Sequence, residues 1–571
     1  MFHSSAVRKE AHPDFIIYNC YNFVKTFFSF CSFFSSRLSC VFLYAKIGLL
    51  ISVLITAYAP FPLGIFFRAG CPSDNQRGFS MQARQITTYA VHSRAITEET
   101  VLPVTLEADE PRHLESGVIN LYPDIRYQEI EGFGGALTDT VGYLYSKMTP
   151  ECKRQFLEAY FGENGQHYRF LRMHIDSCDY SLDEYQAVAD PVADPDFATF
   201  TLARDRKYML PMLKDAMAMT AQPFSVLLSP WSPPRQWKTP PARPRNDASV
   251  YGGLPGFRQE IDYDHPSRCN GGSLKKEHYG DWARYLVKYV QAYLDEGVPV
   301  TMLSLQNESI AATEWDSCVW TAAQQKEFLR DHLYPAFEAA GLAGRVGLYI
   351  WDHNKERAVE YPREIIDETT CKMLEGIAFH WYSGDHFEAL RIAHELFPDM
   401  KLMSSECCAL HPPGQTSIFA ALFGGGPSVA EVDYRDAAAY AHDMIGNLNN
   451  GMNRWIDWNL CVDQNGGPRH VASGFGAPVC ANEDGTWRKL LTFDYIGHFS
   501  RHILPGARRI AFSRCDDRVD VTAARNPDGS VAVVLLNRGE ADLSYALRLE
   551  GKVIRVSVPA HTLSTLCLPE A

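Results

Sequence analysis

Six acidic residues stand where short apolar runs of this chain end: Asp176, Asp179, Glu308, Asp352, Glu406 and Asp457. Glu308 is the plainest of them. It closes Val298-Pro-Val-Thr-Met-Leu-Ser-Leu-Gln-Asn-Glu308, in which Val300 to Leu305 suit a strand buried on both faces. An amide, Asn307, precedes the acid and could hold a sugar hydroxyl. Hydrolysis of a glycosidic bond needs two such carboxyl groups, one protonated to release the leaving oxygen and one ionised. A gap of about 5 Å between them gives retention through a covalent intermediate, and about 6.5–9.5 Å admits a water and gives inversion. Spacing alone does not choose the pair among the six, and a Glu at such a place can equally cap the next helix.

These acids need elements that bring them together. Between about 128 and 459, strand-like and helix-like segments alternate, which is the signature of a parallel sheet with crossover helices. Eight strands are predicted: Gln128–Gly135, Tyr168–Ile175, Pro223–Leu228, Val298–Leu305, Arg345–Trp351, Gly376–Tyr382, Lys401–Ser405 and Arg454–Asn459. Eight βα units read as a TIM barrel, whose chemistry sits at the C-terminal strand ends. Those ends carry Asp176 and Asp179, Ser229-Pro-Trp231, Asn307-Glu308, Trp351-Asp-His-Asn354, His380-Trp-Tyr382, Glu406 and Asp457-Trp-Asn459. Carboxylates and amides at that density suit the gripping of paired hydroxyls, with indoles stacking on ring faces.

Residues 83–112 and 505–571 have a different texture, short alternating β-branched runs with turn signals such as Asn526-Pro-Asp-Gly. They are predicted to build one β-sandwich from the two ends of the chain, bracketing a barrel domain over 113–504. The fold class is thus α/β, a (β/α)8 barrel with an attached β-sandwich. Residues 1–80 match neither part. They contain Val41–Ala59, 19 residues with one charge, Lys46, long enough to cross a bilayer. A membrane anchor, an atypical export signal and a true start at Met81 are the three readings. The last implies a cytoplasmic protein, and membrane contact is expected only if 41–59 is a real segment.

Composition narrows the function. Net charge is −14 and no long basic run occurs, so no nucleic-acid partner is expected. The 15 cysteines form no CxxC pair and no Cys/His run at zinc spacing, so they predict no metal site and mostly buried, reduced thiols.

From about Arg84 onward the chain resembles glycoside hydrolase family 30, which includes lysosomal glucosylceramidase and its bacterial relatives. The resemblance lies in Gln128-Glu-Ile-Glu-Gly-Phe-Gly-Gly-Ala-Leu-Thr-Asp139, Leu228-Ser-Pro-Trp-Ser-Pro-Pro234, Leu305-Gln-Asn-Glu308, His380-Trp-Tyr382, Ser405-Glu406, Trp455-Ile-Asp-Trp-Asn459, Gly466-Gly-Pro468 and Gly497-His-Phe-Ser500 with Pro505-Gly506. It implies a retaining mechanism with Glu406 as nucleophile and Glu308 as acid/base. It also implies that Arg172, Asp179, Trp231, Asn307, Trp455 and Asn459 hold the sugar or orient the acids, and that Tyr382 hydrogen-bonds the nucleophile. Two neighbouring carboxyls are expected to raise one pKa and leave the other ionised. The chain departs from the family pattern at Ser309, where Pro is usual, at Arg469, where Asn is usual, and over Ala472-Ser-Gly, positions read as the cleft rim. Trp315-Asp-Ser-Cys318 and Trp351-Asp-His-Asn354 resemble bacterial members. The resemblance implies a β-glucosidase, glucosylceramidase-like, acting on a β-glucoside or oligosaccharide with no cofactor. An endo-β-1,6-glucanase or β-xylosidase is the alternative enzyme, and a non-catalytic carbohydrate binder the alternative of another class.

Overall fold

The computed structural model describes residues 82–91, 93–106, 117–220, 223–243, 261–415, 426–471 and 474–569. Eight parallel strands close into a barrel: β1 (Gly132–Ala136), β2 (Phe170–Ile175), β3 (Ser225–Pro230), β4 (Val300–Ser304), β5 (Gly347–Asn354), β6 (Gly376–His380), β7 (Lys401–Glu406) and β8 (Met452–Asn459). Each pairs with the next and β8 returns to β1. The crossover helices are amphipathic. In Tyr279–Asp295 the buried positions Tyr279, Trp282, Leu286, Tyr289, Val290 and Tyr293 recur at three- and four-residue spacing and face the barrel. Val429–Asn449 opens on a reciprocal cap between Ser428 and Glu431.

Side-chain parity along the strands decides what fills the barrel. One layer is apolar: Phe170, Leu227, Met302, Tyr349, Ala378, Met403 and Ile456, one from each of β2 to β8. Strand β1 contributes Gly134, where a Cβ would lie 2.1 Å from the Phe170 carbonyl oxygen. Two residues on, successive side chains of a strand return to the same face. That places Arg172, Ser229, Ser304, His380, Ser405 and Trp458 in the next inward layer, all buried. Strand β5 breaks step. Its register against β6 passes from Trp351↔Ala378 to His353↔Phe379, so one extra residue is inserted. Trp351 and Asp352 take positive φ values of 72° and 48°. The bulge turns Trp351 outward onto Tyr361, ring centroids 4.8 Å apart, and delivers Asp352 inward.

The sandwich is a ten-stranded hydrogen-bonded sheet curled over its own core, which includes Ile119, Val521, Val533, Leu547, Ile554 and Leu566. Both ends of the described chain enter it, 82–91 pairing antiparallel with 562–568. Strand Val118–Ile130 also belongs to this sheet, pairing with 507–514 and 543–549. The barrel domain predicted over 113–504, with its first strand from Gln128, therefore begins later, at Gly132. The two strands are separated by a single residue, Glu131, and Gly132 at φ 134° makes the turn into the barrel. A Cβ there would lie 2.8 Å from the Arg169 side chain. Among the described residues no helix is long and apolar enough to cross a membrane. The segment Val41–Ala59 and the start near Met81 lie outside them.

Gly134 offers a clean test of the packed floor. Gly134→Ala is expected to cost about 2–3 kcal/mol by overpacking against the β2 backbone. Gly280→Ala, on a helix where the nearest heavy atom to a new Cβ is 3.9 Å away, should be neutral or stabilising by up to about 1 kcal/mol. Denaturant unfolding of both variants measures the contrast.

Candidate active site

Arg172 rises from the middle of β2 into the barrel mouth with no exposed surface. Its Nη1 donates to Glu406 Oε2 at 2.5 Å. Its Nη2 donates to Asn307 Oδ1 at 2.7 Å, Asp352 Oδ2 at 2.9 Å and Ser229 Oγ at 3.2 Å. The indoles of Trp231 and Trp458 cover the guanidinium at 4.6 and 5.4 Å and stack on each other, centroids 5.2 Å apart. Asp352, equally buried, accepts from Ser304 and Ser405 at 2.5 Å and from Ser229 at 3.1 Å, and meets His380 Nε2 at 3.1 Å.

The two glutamates converge on the other face of the same imidazole. His380 Nδ1 lies 3.5 Å from Glu308 Oε1 and 4.0 Å from Glu406 Oε1. Tyr382 Oη donates to Glu406 Oε1 at 2.9 Å. Glu308 is held through its backbone, with its N–H on the Asp352 carbonyl at 2.8 Å and φ at 49°. His353 Nδ1 stands 3.7 Å from Glu308 Oε1. Glu406 is thus gripped by a cation and a phenol, while Glu308 faces two imidazoles.

Charge follows geometry. Burial works against ionisation of Asp352, but Arg172 and His380 outweigh it and hold the carboxyl far below the usual range. Burial also works against protonated His380. Glu406, Asp352 and Glu308 overcome it and raise the imidazole to about 9. Glu308 goes the opposite way to the expectation from paired carboxyls. Burial pushes it up, yet His380, His353 and Arg172 bring it below its ordinary value. The same contacts thus favour the protonated imidazole and the ionised Glu308 carboxyl together.

A family model, the glycosyl hydrolase family 30 TIM-barrel domain, matches residues 130–503, and that family's β-sandwich domain matches 506–566. The chain belongs to glycosyl hydrolase family 30. It is an O-glycosyl hydrolase, and its substrate is a glycoside or oligosaccharide. Putative glucosylceramidase 4 of Caenorhabditis elegans is 29% identical over 426 residues, 72% of this chain and 75% of that one. Lysosomal acid glucosylceramidase of Mus musculus is 28% identical over 447 residues, 75% and 79% of the two chains. The crystal structure of SrfJ from Salmonella typhimurium superposes with a TM-score of 0.75 at 30% identity, covering 86% of this chain and all of SrfJ.

Of the residues read from sequence, this family 30 barrel brings Glu308, Glu406, Arg172, Asn307, Tyr382 and Trp231 into one contact network. Asp179 lies outside that bonded network, its carboxylate 3.6 Å from Arg469. Trp455 does not join. It lies on the outward face of β8, buried against Phe133 and Tyr440 at 6.3 and 6.2 Å, and Trp458 occupies the mouth instead. Alternation from Ile456 would have chosen the right tryptophan. Asn459 accepts from Thr138 Oγ1 at 2.7 Å and ties β8 to the helix cap after β1. Asp457 faces outward to Tyr440 Oη at 2.8 Å, and Asp176 is held by Tyr285 and Arg268 beneath a loop. Ser309 is no rim residue. Fully buried, it donates to the Trp351 carbonyl at 3.0 Å and receives Gln325 Nε2 at 3.1 Å. Asp352 and His380, which the sequence placed at the barrel mouth without a role, are the centre of the network. The spacing of Glu308, His353 and His380 is also one that could hold an ion. At Cys269, Asp316 and His470, the other such group among the described residues, the Arg268 guanidinium 2.8 Å from Asp316 opposes a cation.

The Asp352–His380 contact has a pH signature. A folded pKa raised from 6.5 to about 9 contributes stability that is complete below about 6.5 and lost as pH rises through 9. For Asp352→Asn, unfolding free energy at pH 6 is expected to fall by about 3–5 kcal/mol, because Arg172 and His380 lose a buried counter-charge. The decline between pH 6.5 and 9 should also shrink. Denaturant melts across that range measure both; an unchanged slope would separate His380 titration from Asp352.

Proposed function

We propose that the protein is a retaining β-glycosidase acting on β-glucosides, with Glu406 as nucleophile and Glu308 as general acid/base. The observation that carries this is the asymmetry of two carboxylates sharing one imidazole nitrogen, at 3.5 and 4.0 Å. Arg172 and Tyr382 bond the two oxygens of Glu406 and aim them, as an attacking carboxylate requires. Glu308 has no cationic guanidinium bonded to it. Its neighbour His380 carries a proton that Glu308 can take up as the glycosidic oxygen needs one.

In the first step Glu406 attacks the anomeric carbon while Glu308 protonates the departing oxygen. The glycosyl ester consumes the Glu406 charge. Glu308, now ionised, then removes a proton from water, which attacks the same carbon and frees Glu406. Asn307, its Oδ1 fixed by Arg172, directs its amide at the sugar. Trp231 and Trp458 form a stacking wall, and Asp179 receives a hydroxyl. The glucosylceramidases among its relatives support glucose as the glycone.

Incubation with an activated 2-deoxy-2-fluoro-β-glucoside should leave a covalent adduct that peptide mapping places on Glu406. Glu406→Gln should lose at least about 10⁴-fold in kcat. Glu308→Gln should lose about 10²–10⁴-fold on a poor leaving group and far less in the first step on a dinitrophenolate. An adduct on another acid would overturn the residue assignment. Failure of gluco and xylo reagents alike, with turnover of neither, would leave a carbohydrate binder. Rapid release of mixed oligosaccharides from β-1,6-glucan would instead mark endo action.

A further inference from the structure

Two imidazole nitrogens approach the same carboxylate oxygen. His380 Nδ1 lies 3.5 Å and His353 Nδ1 3.7 Å from Glu308 Oε1. Those distances are too long for hydrogen bonds, and neither nitrogen has a hydrogen-bond partner in the protein. Both residues are buried, His380 with no exposure and His353 with 8%. The three atoms all lie within 4.8 Å of one another. They come from the ends of three neighbouring strands, β4, β5 and β6, with His353 directly after the bulge that delivers Asp352.

Around a tetrahedral zinc ion with ligand distances near 2.0–2.1 Å, two ligand atoms stand about 3.3–3.4 Å apart. Both Glu308 contacts are within about 0.4 Å of that spacing, and a tilt of the rings toward one another closes the triangle. The far side is already prepared. His380 Nε2 meets Asp352 Oδ1 at 3.1 Å, the carboxylate–histidine pairing that orients metal-binding imidazoles. Glu308 is fixed through its backbone N–H, which donates to the Asp352 carbonyl at 2.8 Å. Charge fits as well. With carboxyls ionised and imidazoles neutral, Glu308, Glu406 and Asp352 against Arg172 leave two negative charges. Mixed imidazole and carboxylate ligands favour Zn²⁺ or Cu²⁺ over Mg²⁺ and Ca²⁺, which prefer oxygen. We propose that Glu308 Oε1, His353 Nδ1 and His380 Nδ1 form a binding site for a borderline divalent cation such as Zn²⁺, and that the ion inhibits the enzyme. Binding engages a lone pair on each of the three atoms, and any proton they carried passes to solvent. Glu308 can then no longer protonate the departing oxygen. That inhibition, unlike the binding, rests on the glycosidase reading above.

Binding is measured apart from turnover, on the full chain after treatment with a chelator. Titration calorimetry with zinc chloride should show a site that His353→Asn and His353→Ala each weaken at least about 10-fold, since losing even an outer partner of a metal ligand costs about 10–100-fold. His265→Ala, at an exposed ring paired with Asp262, should leave that site unchanged. Cobalt chloride should give the intense visible absorption of tetrahedral Co²⁺ with the wild type and lose it with both His353 variants. Magnesium chloride should not compete. Zinc should slow cleavage of whichever glycoside the wild type turns over, and a chelator should restore it. The zinc concentration giving half inhibition should rise in His353→Asn in step with Kd. Unchanged zinc affinity in the two His353 variants would overturn the inference, as would magnesium binding as tightly as zinc, or full activity of the zinc-loaded enzyme. Zinc held at this site by a wild type that cleaves no glycoside would sustain the site and overturn the glycosidase reading alone.

Discussion

A guanidinium with no exposed surface sits at the centre of this barrel, and the mouth is built to tolerate it. Burying one charge costs several kcal/mol unless it is neutralised and its donors are met. Asp352 and Glu406 supply the counter-charge, Asn307 and Ser229 accept remaining donors, and two indoles cover the planar face. Asp352 in turn is met by Ser304, Ser405, Ser229 and His380. Strands β2 to β7 all contribute to this one network. Charge compensation thus couples most of the barrel's circumference to the aim of a single carboxylate, that of Glu406.

The network is also an electrostatic device. Three carboxylates, one guanidinium and two imidazoles share one buried space. His380 bridges the structural acid and the two candidate catalytic ones. A pair of carboxylates alone would force one of them to be neutral. The imidazole between them changes that balance, bringing Glu308 below its ordinary value while its own pKa rises to about 9. This differs from the simple two-acid picture and follows from a residue whose importance is invisible until β5 and β6 are side by side.

Backbone irregularity concentrates at the same level. Glu308, Trp351, Asp352 and Asp176 all have positive φ at the C-terminal ends of their strands. Non-glycine residues are held there only when their surroundings over-determine them. For Asp352 the over-determination is the set of hydrogen bonds around its carboxylate. For Glu308 it is the backbone bond to Asp352, with Ser309 buried directly below. The bulge in β5 and the turn at Glu308 support one another across the strand pair.

The sequence by itself determined the class of fold and the acids at issue. Buried strands alternating with amphipathic helices leave few architectures, and polar residues at the ends of apolar runs have to face the mouth or a partner. The motifs of family 30 then singled out Glu308 and Glu406 from six candidates. Tertiary structure decided what depends on parity and on neighbours far along the chain. One inserted residue in β5 exchanges Trp351 for Asp352, and alternation in β8 gives the mouth Trp458 rather than Trp455. Residue 118–130 pairing assigns that strand to the sandwich. The direction of the Glu308 shift and the partner of Arg469 were likewise out of reach, because a charge's environment is set by side chains 70 to 290 positions away, such as His380 beside Glu308 and Asp179 beside Arg469. Local propensity is written residue by residue, whereas a site is a meeting of strand ends that only closure of the barrel brings about.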